Sequence, residues 1–262
     1  MSRLPTLFIS HGSPTFAIDP GQAGPALSAL GQTLPRPKAI LVVSPHWTTR
    51  EPRVATTARP ETIHDFGGFP PALYQLQYPA PGAPDVAQRA IELLREAGYA
   101  AEADARWGLD HGAWVPLLHL WPSADVPVFQ VSLPARLDGP GAYAYGQALA
   151  PLADEGVLVI GSGSLTHNLY EVRFDAPDAQ AEAYAQAFVA WVRDTVGRRD
   201  HASLQRVMAL APHAARAHPT AEHLWPLLVA AGAAGEHSAP EHIDGGMRYG
   251  VLSMDGCVWR AT

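Results

Sequence analysis

Twelve histidines in 262 residues are the groups of this chain best suited to chemistry. Imidazole is the commonest metal ligand and the side chain whose proton moves near neutral pH. Three of them sit at or just past the end of an apolar run. His11 follows Thr6–Ser10 and opens His11-Gly12-Ser13-Pro14. His46 follows residues 39–44 in Ser44-Pro45-His46-Trp47, and His167 lies beyond residues 157–160 and the turn Gly161-Ser162-Gly163-Ser164. Glycine after His11 lets the backbone approach a ligand, and Trp47 offers a flat wall for one. The plainer alternatives are a His11 satisfied by loop carbonyls and a His46 belonging to an aromatic cluster that closes a sheet. His223, in Pro219-Thr220-Ala221-Glu222-His223, reads by itself as a surface residue of the last amphipathic helix. Three histidines from separate elements would leave open positions on a metal, as a catalytic site requires. Neutral imidazoles suit iron, zinc, copper and nickel alike, so the residue types do not choose the metal.

His111, in GLDHGAW at 108–114, and His167, in SLTHN at 164–168, suit proton transfer better than ligation, because each has polar neighbours able to orient the ring and set its tautomer. His64 and Asp65 open the stretch HDFGGFP at 64–70. With Phe66 and Phe69 it reads either as a segment covering a substrate or as a packed surface loop. Trp47, Phe66, Phe69 and Trp114 suggest a flat aromatic ligand, although such residues are also ordinary core material. His119 reads as a core or rim residue within a helix. His201, His213, His218, His237 and His242 read as solvated, His218 standing out only for its nearness to His223.

Positioning these groups requires strands that end where the histidines begin. Residues 39–44 (AILVVS) form a β-branched run suited to a strand covered on both faces. Residues 126–133, 157–160 and 250–254 read as further strands beside Thr6–Ser10. Between them, residues 84–97 carry Val86, Ala90, Ile91 and Leu94 at helical spacing, with a proline at the start and Gly98 after the end. Residues 142–152, 179–196 and 219–231 read as helices by the same test. Strands alternating with helices predict an α/β fold, a single layered domain over 1–262 with a central, largely parallel or mixed sheet flanked by helices. In such sheets sites form at the carboxyl ends of strands. The 25 prolines imply many ordered connections, as in an enzyme whose site is built from loops over a rigid sheet.

Composition removes several classes. A net charge of −7 argues against nucleic acid or an anionic membrane as partner. No apolar run approaches a membrane span or a signal-peptide core. The single cysteine, Cys257, excludes an intrachain disulfide framework and any multi-cysteine metal site. The expectation is a soluble, cytoplasmic enzyme.

The motifs taken together resemble the class III (LigB-type) extradiol ring-cleavage dioxygenases, and within them the subgroup similar to DOPA 4,5-extradiol dioxygenase. The resemblance runs in order along nearly the whole chain: HGSP at 11–14, LPRPKAILVVSPHW at 34–47, TIHDFGGFP at 62–70, YPAPG at 78–82, GLDHGAW at 108–114, the THNL around His167, and PTAEHLWPLL at 219–228. It implies that His11, His46 and His223 bind one divalent metal, with Fe(II) expected for activity and Zn(II) fitting the same site. It also implies His167 as acid/base, His111 as a second active-site histidine, and a small aromatic diol with dioxygen as the reactants. The wider class holds iron with two histidines and a carboxylate, whereas His223 here resembles the subgroup's replacement of that carboxylate. Glu222 is adjacent, but consecutive helical residues point about 100° apart, so the two would not reach one metal together. A zinc-dependent hydrolase on the same three histidines, with metal-bound water as nucleophile, is the competing chemistry.

Overall fold

The apolar runs divide their side chains between two cores. In the computed structural model, which describes residues 3–261, Leu41 and Val43 face one hydrophobic cluster while Ile40 and Val42 face the other. Phe8 parts from Leu7 and Ile9, and Val157 and Val159 from Leu158 and Ile160, in the same way. Successive strand side chains point to opposite faces, so a strand covered on both sides reads as an unbroken apolar run.

The strands are β1 (Thr6–Ser10), β2 (Ala39–Thr49), β3 (Arg53–Ala55), β4 (Glu102–Asp104), β5 (Val128–Pro134), β6 (Val157–Gly163), β7 (Ala239–Ile243), β8 (Met247–Arg248), β9 (Leu252–Ser253) and β10 (Gly256–Arg260). Eight of them form one mixed sheet in the order β4-β3-β5-β2-β6-β1-β10-β7. Its centre, β5-β2-β6-β1, is parallel, while β3 and β10 run antiparallel to β5 and β1. The longer helices up to β6 are α1 (Ala23–Thr33), α2 (Pro84–Glu96), α3 (His111–Leu120) and α4 (Gly139–Leu149), followed by the short α5 (Pro151–Asp154). After β6 come α6 (Ala183–Gly197), the short α7 (His201–Gln205), α8 (Val207–Leu210) and α9 (Ala214–Ala217), and then α10 (Trp225–Ala234). Helices α1 and α3 cover one face of the sheet, and α2, α4, α6 and α10 the other. No helix among the described residues is long and apolar enough to cross a membrane.

The α/β reading and the mixed sheet agree with the expectation, while several boundaries move. The helix expected over 219–231 begins only at Trp225, after a turn, and it is not amphipathic. Pro226 through Ala234 are all buried, the mark of a helix enclosed by neighbours on every side. The strand expected at 250–254 shrinks to the two residues of β9, which pair among the described residues with β8 alone. The strand that joins the main sheet is β10, flanked on both edges by β1 and β7; pairing partners, rather than local pattern, make it a strand. Pro151 divides the helix expected over 142–152, because proline cannot supply the helical N–H. Residues 111–120 form α3 despite an internal Pro116. Strand β2 does not stop at Pro45 but passes through an irregularity between Ser44 and Thr48, a place where a strand tolerates proline.

Candidate metal centre and active-site cleft

Strand order makes the centre. Because β2, β6 and β1 are neighbours, the ends of β1 and β2 flank that of β6, and ligands gather at this edge of an open α/β sheet. His11 extends β1 by donating its backbone N–H to the Gly163 carbonyl at 2.9 Å. Gly12 then turns the chain away at φ +63°, and a Cβ there would collide with the Met254 thioether, so the turn requires glycine. His46 occupies the irregularity of β2. His223 comes from the turn ahead of α10, and its carbonyl accepts the Ser164 N–H at 2.8 Å, which ties it to the end of β6. The expectation of a surface histidine fails: His223 is 7% exposed.

The ring nitrogens of His11, His46 and His223 that can act as ligands all lie within 4.8 Å of one another. His11 Nε2 stands 3.1 Å from His46 Nε2, and His223 Nε2 is buried with no hydrogen-bond partner among the described residues. The opposite nitrogens are held. Ser162 Oγ lies 3.0 Å from His11 Nδ1 and donates its own proton to the Gly112 carbonyl, so it accepts from His11. His46 Nδ1 lies 3.5 Å from Asp65 Oδ2, and His223 Nδ1 lies 3.2 Å from Glu222 Oε1. His11 and His223 therefore carry the proton on Nδ1 and aim the Nε2 lone pair inward, the arrangement of metal-binding histidines, while His46 turns Nδ1 toward the Asp65 carboxylate. Imidazole nitrogens at about 2.0–2.1 Å from one ion and at right angles stand about 3 Å apart, so the His11–His46 spacing fits a shared metal. Glu222 turns to the outer nitrogen of His223 rather than to the common point.

Charge supports the same reading. Burial, reinforced by the neighbouring rings, holds His11 and His223 well below the ordinary histidine range. Burial and His111 push His46 down to about 3, against the opposing pull of Asp65. The three imidazoles are neutral at pH 7, as ligation demands.

Beside them lies a cavity of about 180 Å³ lined by the three histidines, His111, His167, Phe66 and Phe69 among others. His111 opens α3, where Asp110 accepts the Ala113 N–H as N-cap. Asp65 Oδ1 accepts the His111 backbone N–H at 2.8 Å, and Oδ2 lies 2.9 Å from His111 Nδ1. Next to it, Gly112 presses on β2 so closely that a Cβ would strike Ser44 Oγ and touch the His46 ring. His167 stacks on His223 with ring centroids 3.5 Å apart and planes within 6°, anchored by its N–H to the Ala217 carbonyl at 2.8 Å. Burial pushes His167 down to about 4, with Glu222 opposing.

Three residues expected against the ligand lie elsewhere, among them Trp114, which is fully buried and donates its indole N–H to the Ile63 carbonyl at 3.0 Å. Trp47 is 4% exposed and stacks on Trp107 at 4.7 Å. It is interior material, the plainer alternative given above for the aromatic residues. His64 Nε2 meets the Leu76 carbonyl at 3.0 Å, and the ring packs edge-on against Phe66 and Trp114, behind the cavity wall. Of the histidines read as solvated, His213, His237 and His242 are exposed and His201 half-buried. His218 is buried against Phe188 and bonds the Leu165 carbonyl at 2.9 Å. The reading missed Asp65 as the partner of His111 and His46, and Ser162 as the partner of His11. It also missed Asp110, fully buried, pushed up to about 6 by burial and bonded to Gln130 Nε2 at 2.8 Å. Adjacency of Asp65 to the aromatic loop and of Asp110 to His111 were the only signals available.

A family described as the catalytic LigB subunit of aromatic ring-opening dioxygenase matches residues 5–253. The chain is 44% identical to a 4,5-DOPA dioxygenase extradiol of Beta vulgaris, over 98% of this chain and 97% of that one. It is 38% identical to a protein of the same name from Escherichia coli K12, over 97% and 93% of the two chains. The crystal structure of an uncharacterized protein from Escherichia coli K12 superposes with a TM-score of 0.79 at 31% identity, covering 98% of this chain and 99% of the other.

Proposed function

This chain belongs to the LigB family of aromatic ring-opening dioxygenases, and from that membership we propose that it cleaves a catechol-type ring beside the diol, using a divalent metal held by His11, His46 and His223. The observation that carries the assignment of the ligands is the convergence of three neutral imidazoles from separate elements, with His223 Nε2 left without a partner. Residues 1–262 act as one catalytic domain in this reading, in the cytoplasm, in keeping with one buried thiol at Cys257.

The reaction balances as catechol plus dioxygen giving a hydroxymuconic semialdehyde. One ring C–C bond breaks, and both oxygen atoms enter the product, one in a carboxyl group and one in an aldehyde. Ferrous iron, when bound, would anchor the diol oxygens and carry electron density to dioxygen, which zinc in the same site would not. The side chains move protons and exclude water. His167, kept neutral by burial, accepts a diol proton on its ring and returns it to the leaving oxygen. A positioned imidazole contributes about 10²–10⁴-fold in such steps. His111 has Nδ1 committed to Asp65, so it meets the oxygen through Nε2, with Asp65 fixing the orientation of the ring. Phe66 and Phe69 enclose the ring.

The test is protein purified anaerobically, loaded in parallel with ferrous iron or zinc, and given a catechol panel while oxygen uptake and visible absorbance are followed. Oxygen consumption with a yellow product is expected only from the iron form. His46→Ala should abolish it and lower metal affinity by more than about 10²-fold, since losing an outer-shell partner alone costs about 10–100-fold. No oxygen uptake with iron verifiably bound would overturn the reading and leave zinc-dependent hydrolysis as the chemistry of the three histidines.

A further inference from the structure

His167 stands on a stretch of chain without regular structure. Residues 164–168 belong to neither helix nor strand, so no ladder of backbone bonds fixes them, and their buried polar groups must find other partners. Ser10 Oγ accepts the Leu165 N–H at 3.3 Å, Ser164 Oγ donates to the Thr166 carbonyl at 2.7 Å, and Thr166 Oγ1 donates to the Val251 carbonyl at 2.6 Å. One neighbouring segment grips the stretch at three points. The Ala217 carbonyl accepts the His167 N–H at 2.8 Å, and the Arg216 carbonyl accepts from Asn168 Nδ2 at 2.8 Å. The third contact is a side chain: His218 Nε2 lies 2.9 Å from the Leu165 carbonyl. A carbonyl can only accept, so His218 carries its proton on Nε2.

His218 is an unusual occupant of its place. It is 1% exposed, and its Nδ1 has no hydrogen-bond partner among the described residues. Buried polar atoms are paired as a rule, and an exception calls for an explanation. An apolar side chain packed on Phe188, as this ring is, would leave no such atom. What the imidazole adds is an N–H for the Leu165 carbonyl, two residues ahead of His167. The ring downstream of that bond is closely placed, parallel to His223 within 6° at a centroid distance of 3.5 Å, and it lines the cleft. Resting on the reading of His167 as acid/base, we propose that His218 is a positioning residue for His167: its Nε2 proton anchors Leu165 and thereby sets the His167 ring against His223 and into the cleft. A proton-transfer group has to be held within about 0.5 Å of its productive geometry, which takes supporting bonds of this kind.

The experiment uses the iron-loaded full chain, with kcat and KM for catechol measured by oxygen uptake and normalised to bound iron. His218→Phe keeps a ring and loses the donor, and His218→Leu takes its place if the larger ring does not fold. Either should lower kcat on the order of ten-fold, the effect of misplacing a reacting group, with KM nearly unchanged. His218→Gln, whose amide N–H can meet the same carbonyl, should restore most of kcat. Added to His167→Phe, the His218 change should cost nothing further, because the two act as a unit. Crystals of the variants should show the His167 ring turned out of its stack on His223 in His218→Phe and kept there in His218→Gln. Unchanged kcat per iron with only a lowered Tm, no rescue by glutamine, or a full separate loss on top of His167→Phe would each make His218 mere core and overturn the proposal. If His167→Phe turns over normally, or no catechol is cleaved at all, the acid/base reading falls instead, and the ring placement in the crystals still decides whether His218 sets it.

Discussion

The inner wall of the cleft and its outer rim are built on opposite principles. His11 follows the end of β1, His46 sits in the irregularity of β2, and the His223 backbone is bonded to the start of the segment leaving β6. His11 and His223 are bonded at the outer nitrogen and buried, and His46 is half-buried with Nδ1 facing Asp65. The rim is made of connecting segments, 64–70 and the stretch after His167, whose Leu169 and Phe174 are half in solvent. Rigid strand ends hold groups to the tolerance that metal chemistry needs, while loops adapt to the remainder of a ligand. The difference teaches that chemistry and selectivity are separable here, one carried by the sheet and the other by its loops. Asp65 is the link, because the loop that supplies Phe66 and Phe69 also holds His111 and approaches His46.

If that division is right, His167→Phe should keep the metal, measured by elemental analysis, and lower turnover by at least about 10²-fold. Unchanged turnover would take His167 out of the inner wall's chemistry. Asp65→Asn should cost about 10–100-fold in kcat while retaining most of the bound metal, as the loss of an orienting partner does. A variant that changes only KM would mean that Asp65 serves the rim alone.

The smallest effect concerns the cost of burying neutral histidines. His218 is pushed down to about 4 by burial, against 6.5 for an exposed histidine. As pH falls below 6.5 the unfolded chain takes up a proton that the native state refuses, so stability is lost between about 6.5 and 4 and is fully present above that window. At about 1.4 kcal/mol per pH unit of difference, this single group is worth at most about 3 kcal/mol. Thermal melts at pH 7.5 and 5 should show a smaller drop for His218→Gln than for the original chain. An identical drop would place the acid sensitivity elsewhere.

Much of this architecture can be read without coordinates. Residues 39–44 and 157–160 are apolar at nearly every position because both faces of a central strand are covered, and 84–97 has the spacing of a helix covered on one side; both rules act between near neighbours in the chain. His11 and His46, each directly following such a run, were legible for the same reason. What was not legible depends on strand order. Nothing local says that β6 lies between β1 and β2, so nothing local could say that a turn at 219–224 is bonded to Ser164 and buries His223. The same holds for Trp47, which finds Trp107 rather than a ligand, for Asp65 reaching His111, and for β10, a strand only because β1 and β7 lie on either side. Periodicity and residue chemistry, which a sequence carries within one or two turns of chain, determined the elements and the inventory of histidines. Tertiary structure alone decided which of them meet, because the distance between residues far apart in sequence is set by topology and packing.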